Sequence, residues 1–210
     1  MNTHLSRAGL ALIVLAVCGL LLATTGCRSE EPGDADALAG VTQFVANGSF
    51  EEMDGQMPKG WRTRSWQRDG DAVFTVEAAG HTGGRSVAIS SEKGADASWT
   101  AEVPIRPYSR YKLSGWVKTE GLAAGTGRGA QINIDGEEAW RTAPLAGTVD
   151  WSRVEVEFDA GANDVLAVTC LFGGWGKSTG KAWFDDIEIT RLSGKELGAP
   201  KVVIDGDKTG

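Results

Sequence analysis

Apolar and polar residues alternate at period two through most of this chain, the spacing of half-buried β-strands. Phe74 and Val76 alternate with Thr75 and Glu77, and Val87 and Ile89 alternate with small residues. Tyr111, Leu113, Gly115 and Val117 share one strand face, while Lys112, Ser114, Trp116 and Lys118 share the other. Ile132 and Ile134 oppose Gln131 and Asn133; Val154, Val156 and Phe158 oppose Arg153, Glu155 and Glu157. Residues 165–172 read as a more continuously apolar strand, and Ile187 and Ile189 close the pattern. Turn signals separate the runs at Gly70-Asp71, Gly83-Gly84, Pro107, residues 125–129, Gly147, residues 161–164 and Gly173-Gly174. No window offers an amphipathic helix. About nine or ten short strands at this spacing predict an all-β fold, a two-sheet antiparallel sandwich of the jelly-roll type.

The strand pattern begins near Val41, and what precedes it is of another kind. Arg7 is the one charge before an apolar run from Ala8 to Ala23, followed by small residues, which describes a secretory signal. Ala23-Thr24-Thr25-Gly26-Cys27 resembles a bacterial lipobox, with Thr24 where that pattern usually has Leu. The resemblance makes Cys27 a lipidation site and the first residue of the mature chain, anchored by its acyl chains at the cell envelope. Arg28 in the next position favours the outer membrane; a plain cleaved signal is the alternative. Residues 28–40 read as an acidic tether beyond Cys27, residues 41–192 as the folded domain and residues 193–210 as a C-terminal tail.

Removing residues 1–26 changes the net charge from −7 to −8, by the loss of Arg7. No basic stripe exists for phosphate contact, so nucleic acid is excluded as a partner. Cys18 leaves with the signal and Cys27 takes the lipid, so Cys170 has no internal disulfide partner and reads as a small buried hydrophobe. The chain has eight Trp against two Tyr, an excess that needs a reason.

Two motifs bracket the domain. Asn47-Gly48-Ser49-Phe50-Glu51 opens it, with Gly60-Trp61 after it, and Trp183-Phe184-Asp185-Asp186-Ile187 closes it. A sandwich whose first and last strands meet places Glu51 and Asp185 at one rim. Paired carboxylates there invite Ca²⁺, a hard ion that takes about six to eight oxygen ligands, some from backbone carbonyls. The competing reading is that Glu51 accepts loop N–H bonds while Asp185 pairs with Arg85.

These motifs, with Pro58-Lys59-Gly60-Trp61, Gly83-Gly84-Arg85-Ser86-Val87, the run Tyr111 to Lys118, and Trp151, resemble the family 4/9/22-type carbohydrate-binding modules over roughly residues 42–192. The resemblance implies a galactose-binding-like jelly roll, a structural Ca²⁺ held by Glu51 and Asp185, and a poly- or oligosaccharide partner. It also places a stacking aromatic on the strand after the Gly-Arg-Ser stretch, at Trp99. Sugar binding uses flat aromatic planes beside polar groups that hold hydroxyls. Trp175, set among glycines, is a second platform. Gln131 and Asn133 are hydroxyl-binding candidates, although plain solvent exposure is the commoner fate of such residues. Arg64, with Arg62 and Trp66, flanks the groove or forms a loop; Trp140 is a weaker candidate. Trp61 and Trp151 read as framework plugs, Trp183 as core or rim, and Trp116 as undecided.

An enzyme is disfavoured. Glycoside hydrolysis needs two carboxylates in a cleft, and no strand carries such a pattern; the chain outside the signal has one histidine, His81. The remaining rival is a structural or assembly sandwich that binds an envelope protein and no sugar.

Overall fold

The computed structural model describes residues 43–67 and 71–194; the segment 1–26, the tether with Cys27 and residues 195–210 lie outside the described residues. Every regular element among the described residues is a strand. In chain order they are β1 (Met53–Asp54), β2 (Met57–Pro58), β3 (Trp61–Ser65), β4 (Val73–Glu77), β5 (Ser86–Ala95), β6 (Ala97–Pro104), β7 (Ser109–Ala123), β8 (Gly129–Ile134), β9 (Gly147–Asp159), β10 (Val165–Gly173) and β11 (Ser178–Gly194). The last strand therefore runs two residues into what reads from sequence as tail.

Two antiparallel sheets face each other, in the orders β3-β6-β10-β8 and β4-β5-β11-β7-β9, beside a minor β1-β2 ribbon. This is the expected jelly-roll sandwich. Between the sheets lie Val87, Ile89, Trp99, Leu113, Ile132, Phe172, Phe184, Ile187 and Ile189, all buried. Each such aliphatic or Phe side chain contributes about 1.5–3 kcal/mol when taken from water.

The bracketing motifs do come together. Ile187 N–H donates to Gly48 O at 2.9 Å and Phe44 N–H to Ile189 O at 3.0 Å. Asn47 holds the opening loop: its side-chain amide bonds Glu52 O and Lys59 O, and its own carbonyl accepts the Trp61 indole N–H at 3.1 Å. Trp61 is buried against Phe50, with ring centroids 4.8 Å apart, as a framework plug.

A simple alternation fails at the closing motif. The β11–β7 register shifts between Asp185 and Glu188, with Asp186 at φ 49°. This bulge lets Phe184 and Ile187, three residues apart, both point inward. Trp183 consequently sits half-buried on the outer face of the five-stranded sheet, with Lys181 Nζ 4.5 Å from its ring. Trp116 lies on that face too, stacked by His81 at 3.6 Å. Trp151 is half-buried beside the same histidine at 6.1 Å, so it does not plug an end of the sandwich.

Three connections cross between the sheets at one end: Asp96 between β5 and β6, residues 124–128 between β7 and β8, and residues 174–177 between β10 and β11. They are tied by Arg128 N–H to Gly173 O at 2.6 Å and Thr126 N–H to Lys177 O at 3.1 Å. A Cβ on Gly127, Gly173 or Gly176 would collide with neighbouring backbone, so only glycine permits this approach.

Candidate functional site

The outer face of the four-stranded sheet is where the chemistry collects. Strand pairing lays two polar rows across it: Arg64–Ser98–Leu171–Gln131 and Arg62–Thr100–Thr169–Asn133. Most of these groups satisfy one another. Ser98 and Thr100 hydroxyls bond at 2.9 Å, and the Thr169 hydroxyl donates to Asn133 Oδ1. Gln131 is the exception. It is 0% exposed, and neither amide atom has a hydrogen-bond partner among the described residues. A Cβ on Gly174 would lie 3.2 Å from Gln131 Nε2 and 3.1 Å from Leu171 Cδ2, so Gln131 reaches beneath Gly174 and only a glycine leaves that notch open.

A groove of about 430 Å³ lies over this face, between Trp66 and Trp175. Asp96, Asn133, Leu171, Asp135, Gly136 and Glu138 complete its lining. The two indoles are 39% and 51% exposed. Each carries a guanidinium on one ring face: Arg64 at 4.5 Å from Trp66, and Arg128 at 4.8 Å from Trp175. Both arginines are held from the turn after β8, Arg64 by Asp135 at 2.5 Å and Arg128 by Glu138 at 2.7 Å. Burial lifts the Asp96 carboxyl above its ordinary range, against the pull of N–H groups from Gly174, Gly176 and Trp175.

The predicted site residues divide accordingly. Trp175 and Arg64 stand at the groove. Trp99 does not: it is 2% exposed, faces inward with Ala97, Ala101 and Val103, and its indole donates to Ala88 O at 3.2 Å. Its strand parity sets this, and Phe74 packs edge-on against it at 5.7 Å. Trp99 is a core residue and no stacking platform. Gln131 and Asn133 lie on the expected face but are buried there, Gln131 beneath Gly174 and Asn133 with its amide bonded to Thr169 and Ile134 O. Trp140 packs on Phe158 at 4.7 Å, away from the groove. Sequence reasoning missed Asp96, Arg128, Asp135 and Glu138. All four lie in or beside turns, where no period marks them.

At the rim, Glu51 and Asp185 grip one loop from two sides. Glu51 Oε1 accepts the N–H groups of Gly84 and Arg85, both at 2.8 Å, and Arg85 Nη1 lies 3.5 Å from Oε2. Arg85 thus pairs with Glu51 and not with Asp185. Asp185 Oδ2 accepts N–H groups of His81 at 2.7 Å and Thr82 at 3.2 Å, and Oδ1 that of Asp186 at 2.8 Å. Burial pushes the Asp185 carboxyl up to about 6, the neighbouring Asp186 charge adding to it against those donors. Beside Gly80, the carbonyls of Arg85 and Thr82 and Asp185 Oδ2 converge within 2.6 Å of where a β-carbon would stand. An all-oxygen notch with a buried carboxylate fits a hard cation such as Ca²⁺.

Residues 45–189 match the family profile CBM_4_9_1, BppA domain 1. The chain belongs to the family 4/9 carbohydrate-binding modules. The matched stretch spans nearly all of the sandwich and is a binding-type module. Two solved structures share the fold. The enzymatically active domain of tailspike protein 4 from bacteriophage CBA120 superposes with a TM-score of 0.53 at 13% identity, over 72% of this chain and 22% of that one. The Stig cyclase Fisc from Fischerella sp. TAU gives 0.51 at 15% identity, over 73% and 99%. The module TmCBM61, solved with β-1,4-galactotriose, gives 0.46 at 15% identity, over 71% and 98%. This module therefore spans about a fifth of the tailspike domain. No curated protein sequence matches the chain.

Proposed function

We propose that this protein is a non-catalytic carbohydrate-binding lipoprotein, held at the bacterial envelope through Cys27, that captures a poly- or oligosaccharide in the groove between Trp66 and Trp175. The observation that carries this reading is that two half-exposed indoles, Trp66 and Trp175, line one polar groove in a module of this family. Flat rings take the apolar faces of pyranoses, while the accessible carboxylates of Asp135 and Glu138 offer acceptors to hydroxyls. The volume lies in the lower part of the about 300–1,000 Å³ range of ligand sites, suited to a short stretch of glycan. The two arginines steady the indoles, being themselves neutralised by Asp135 and Glu138. Ca²⁺, if bound, would be held by Asp185, the carbonyls of Thr82 and Arg85, and Glu51 from the far side of the loop. It would supply charge neutralisation and fix the rim.

The test is retention of the full-length protein, in detergent, on a polysaccharide array with Ca²⁺ present. Retention on a discrete set of glycans, lost in Trp175→Ala and Trp66→Ala proteins that melt like wild type, is the expected result. Equal retention by all three proteins would remove the groove from the mechanism.

A further inference from the structure

We infer that Asp96 is the positioning residue of the groove, a single corner that fixes both tryptophan walls relative to each other. The inference deepens the glycan-binding reading and rests on it for its functional arm alone. Asp96 sits where the chain passes from β5 in one sheet to β6 in the other, and it is 9% exposed. Its two ends hold different walls. The backbone carbonyl accepts the Trp66 N–H at 3.0 Å, which sets where β3 releases that residue. The carboxylate accepts the Gly174 N–H at 3.1 Å, immediately before Trp175.

The second wall needs such an anchor. Gly173, Gly174 and Trp175 are successive left-handed residues, at φ 96°, 71° and 57°. For Trp175 that conformation is strained and persists only where its surroundings impose it. The turn directs the Gly174 N–H toward an anion. Here the anion is supplied from within the chain, by a carboxylate on the neighbouring sheet crossing. This charge-assisted bond holds Gly174 over Gln131 and so fixes the backbone from which Trp175 extends into the groove lining. Asp96 itself lines that groove together with Trp66 and Trp175, the two residues whose backbones it holds in place.

The experiment compares Asp96→Ala and Asp96→Asn with wild type in the full-length protein, with Trp66→Phe and Trp175→Phe proteins assigning the signals. Near-ultraviolet circular dichroism and acrylamide quenching read the two indoles without ligand. In Asp96→Ala the Trp175 indole loses dichroism and quenches more readily, while Trp66, held by the backbone carbonyl that alanine keeps, stays as in wild type, and glycan affinity falls about tenfold or more. Asparagine keeps an acceptor oxygen but not the charge, so Asp96→Asn shows a partial change and about a threefold loss. Unchanged indole signals in a folded Asp96→Ala protein would overturn the inference, as would an Asn variant as impaired as the Ala variant. If Asp96→Ala does not fold, Asp96→Asn decides alone, and wild-type quenching in it would refute the role. If wild type retains no glycan, the ligand-free signals still decide Asp96, and the glycan reading alone falls.

Discussion

Truncation of Trp99 separates a core tryptophan from a ligand platform. Trp99 is 2% exposed, meets Phe74 edge-on at 5.7 Å and donates its indole N–H to Ala88 O at 3.2 Å. Trp99→Ala empties the space between the sheets, and such truncations lower stability by about 3–5 kcal/mol. Trp99→Phe keeps most of the ring volume but loses the hydrogen bond, for about 1–2 kcal/mol. With a urea dependence of about 2 kcal/mol/M, the Ala variant's midpoint falls by about 2 M. Trp175→Ala, at an exposed loop position, shifts it by no more than about 0.5 kcal/mol equivalent. The assay is urea unfolding followed by far-ultraviolet circular dichroism, with glycan retention measured in parallel. Trp99→Phe should retain glycan at wild-type level, whereas Trp175→Ala should not. A Trp99→Ala protein with a native midpoint and abolished retention would refute the inward orientation of β6.

Other outcomes are equally specific. Asp185 titrates at about 6 in the folded protein against an ordinary 3.8. A carboxyl raised in this way favours folding below its ordinary value, and that contribution is lost as pH rises through 6. Metal-free protein should therefore melt higher at pH 5 than at pH 7, and Asp185→Asn should flatten the difference; a steeper slope in the variant would contradict the assignment. If Ca²⁺ binds the ionised rim, chelator at pH 7 lowers the melting temperature of wild type and leaves Asp185→Asn unchanged, and identical curves for wild type with and without chelator would exclude the site. Gln131→Met removes two buried, unpartnered polar atoms, so stability should hold or rise by about 1 kcal/mol in urea titration; a loss of that size would show that the amide has partners. Gly174→Ala, at φ 71° and 3.1 Å from Leu171, should lower stability by about 1–2 kcal/mol, and an unmoved midpoint would refute the conformation.

Sequence alone determined the architecture, because burying one face of a strand writes a period-two code along the residues themselves. The alternation in β7 and β9 is read without knowing what packs on them. It also determined that the opening and closing motifs meet, and that Glu51 and Asp185 serve one rim. Orientation within that frame was another matter. Trp99 and Trp175 are the same residue type flanked by small residues, yet one fills the core and the other overhangs a groove. Trp99 stands on β6, whose parity turns it inward, whereas Trp175 stands in the β10–β11 connection, where no parity applies; even within a strand a single bulge, as at Asp186, reverses parity for everything beyond it. Polar residues on β8 read as solvent-facing, but the Gly174 loop lies over Gln131 and the Thr169 hydroxyl takes up Asn133, and both are buried. The groove itself was decided only by tertiary structure. Trp66, Asp96, Arg128, Asp135 and Trp175 come from turns and strand ends far apart in the chain, and no local periodicity records that three sheet crossings close on one another at the same end of the sandwich.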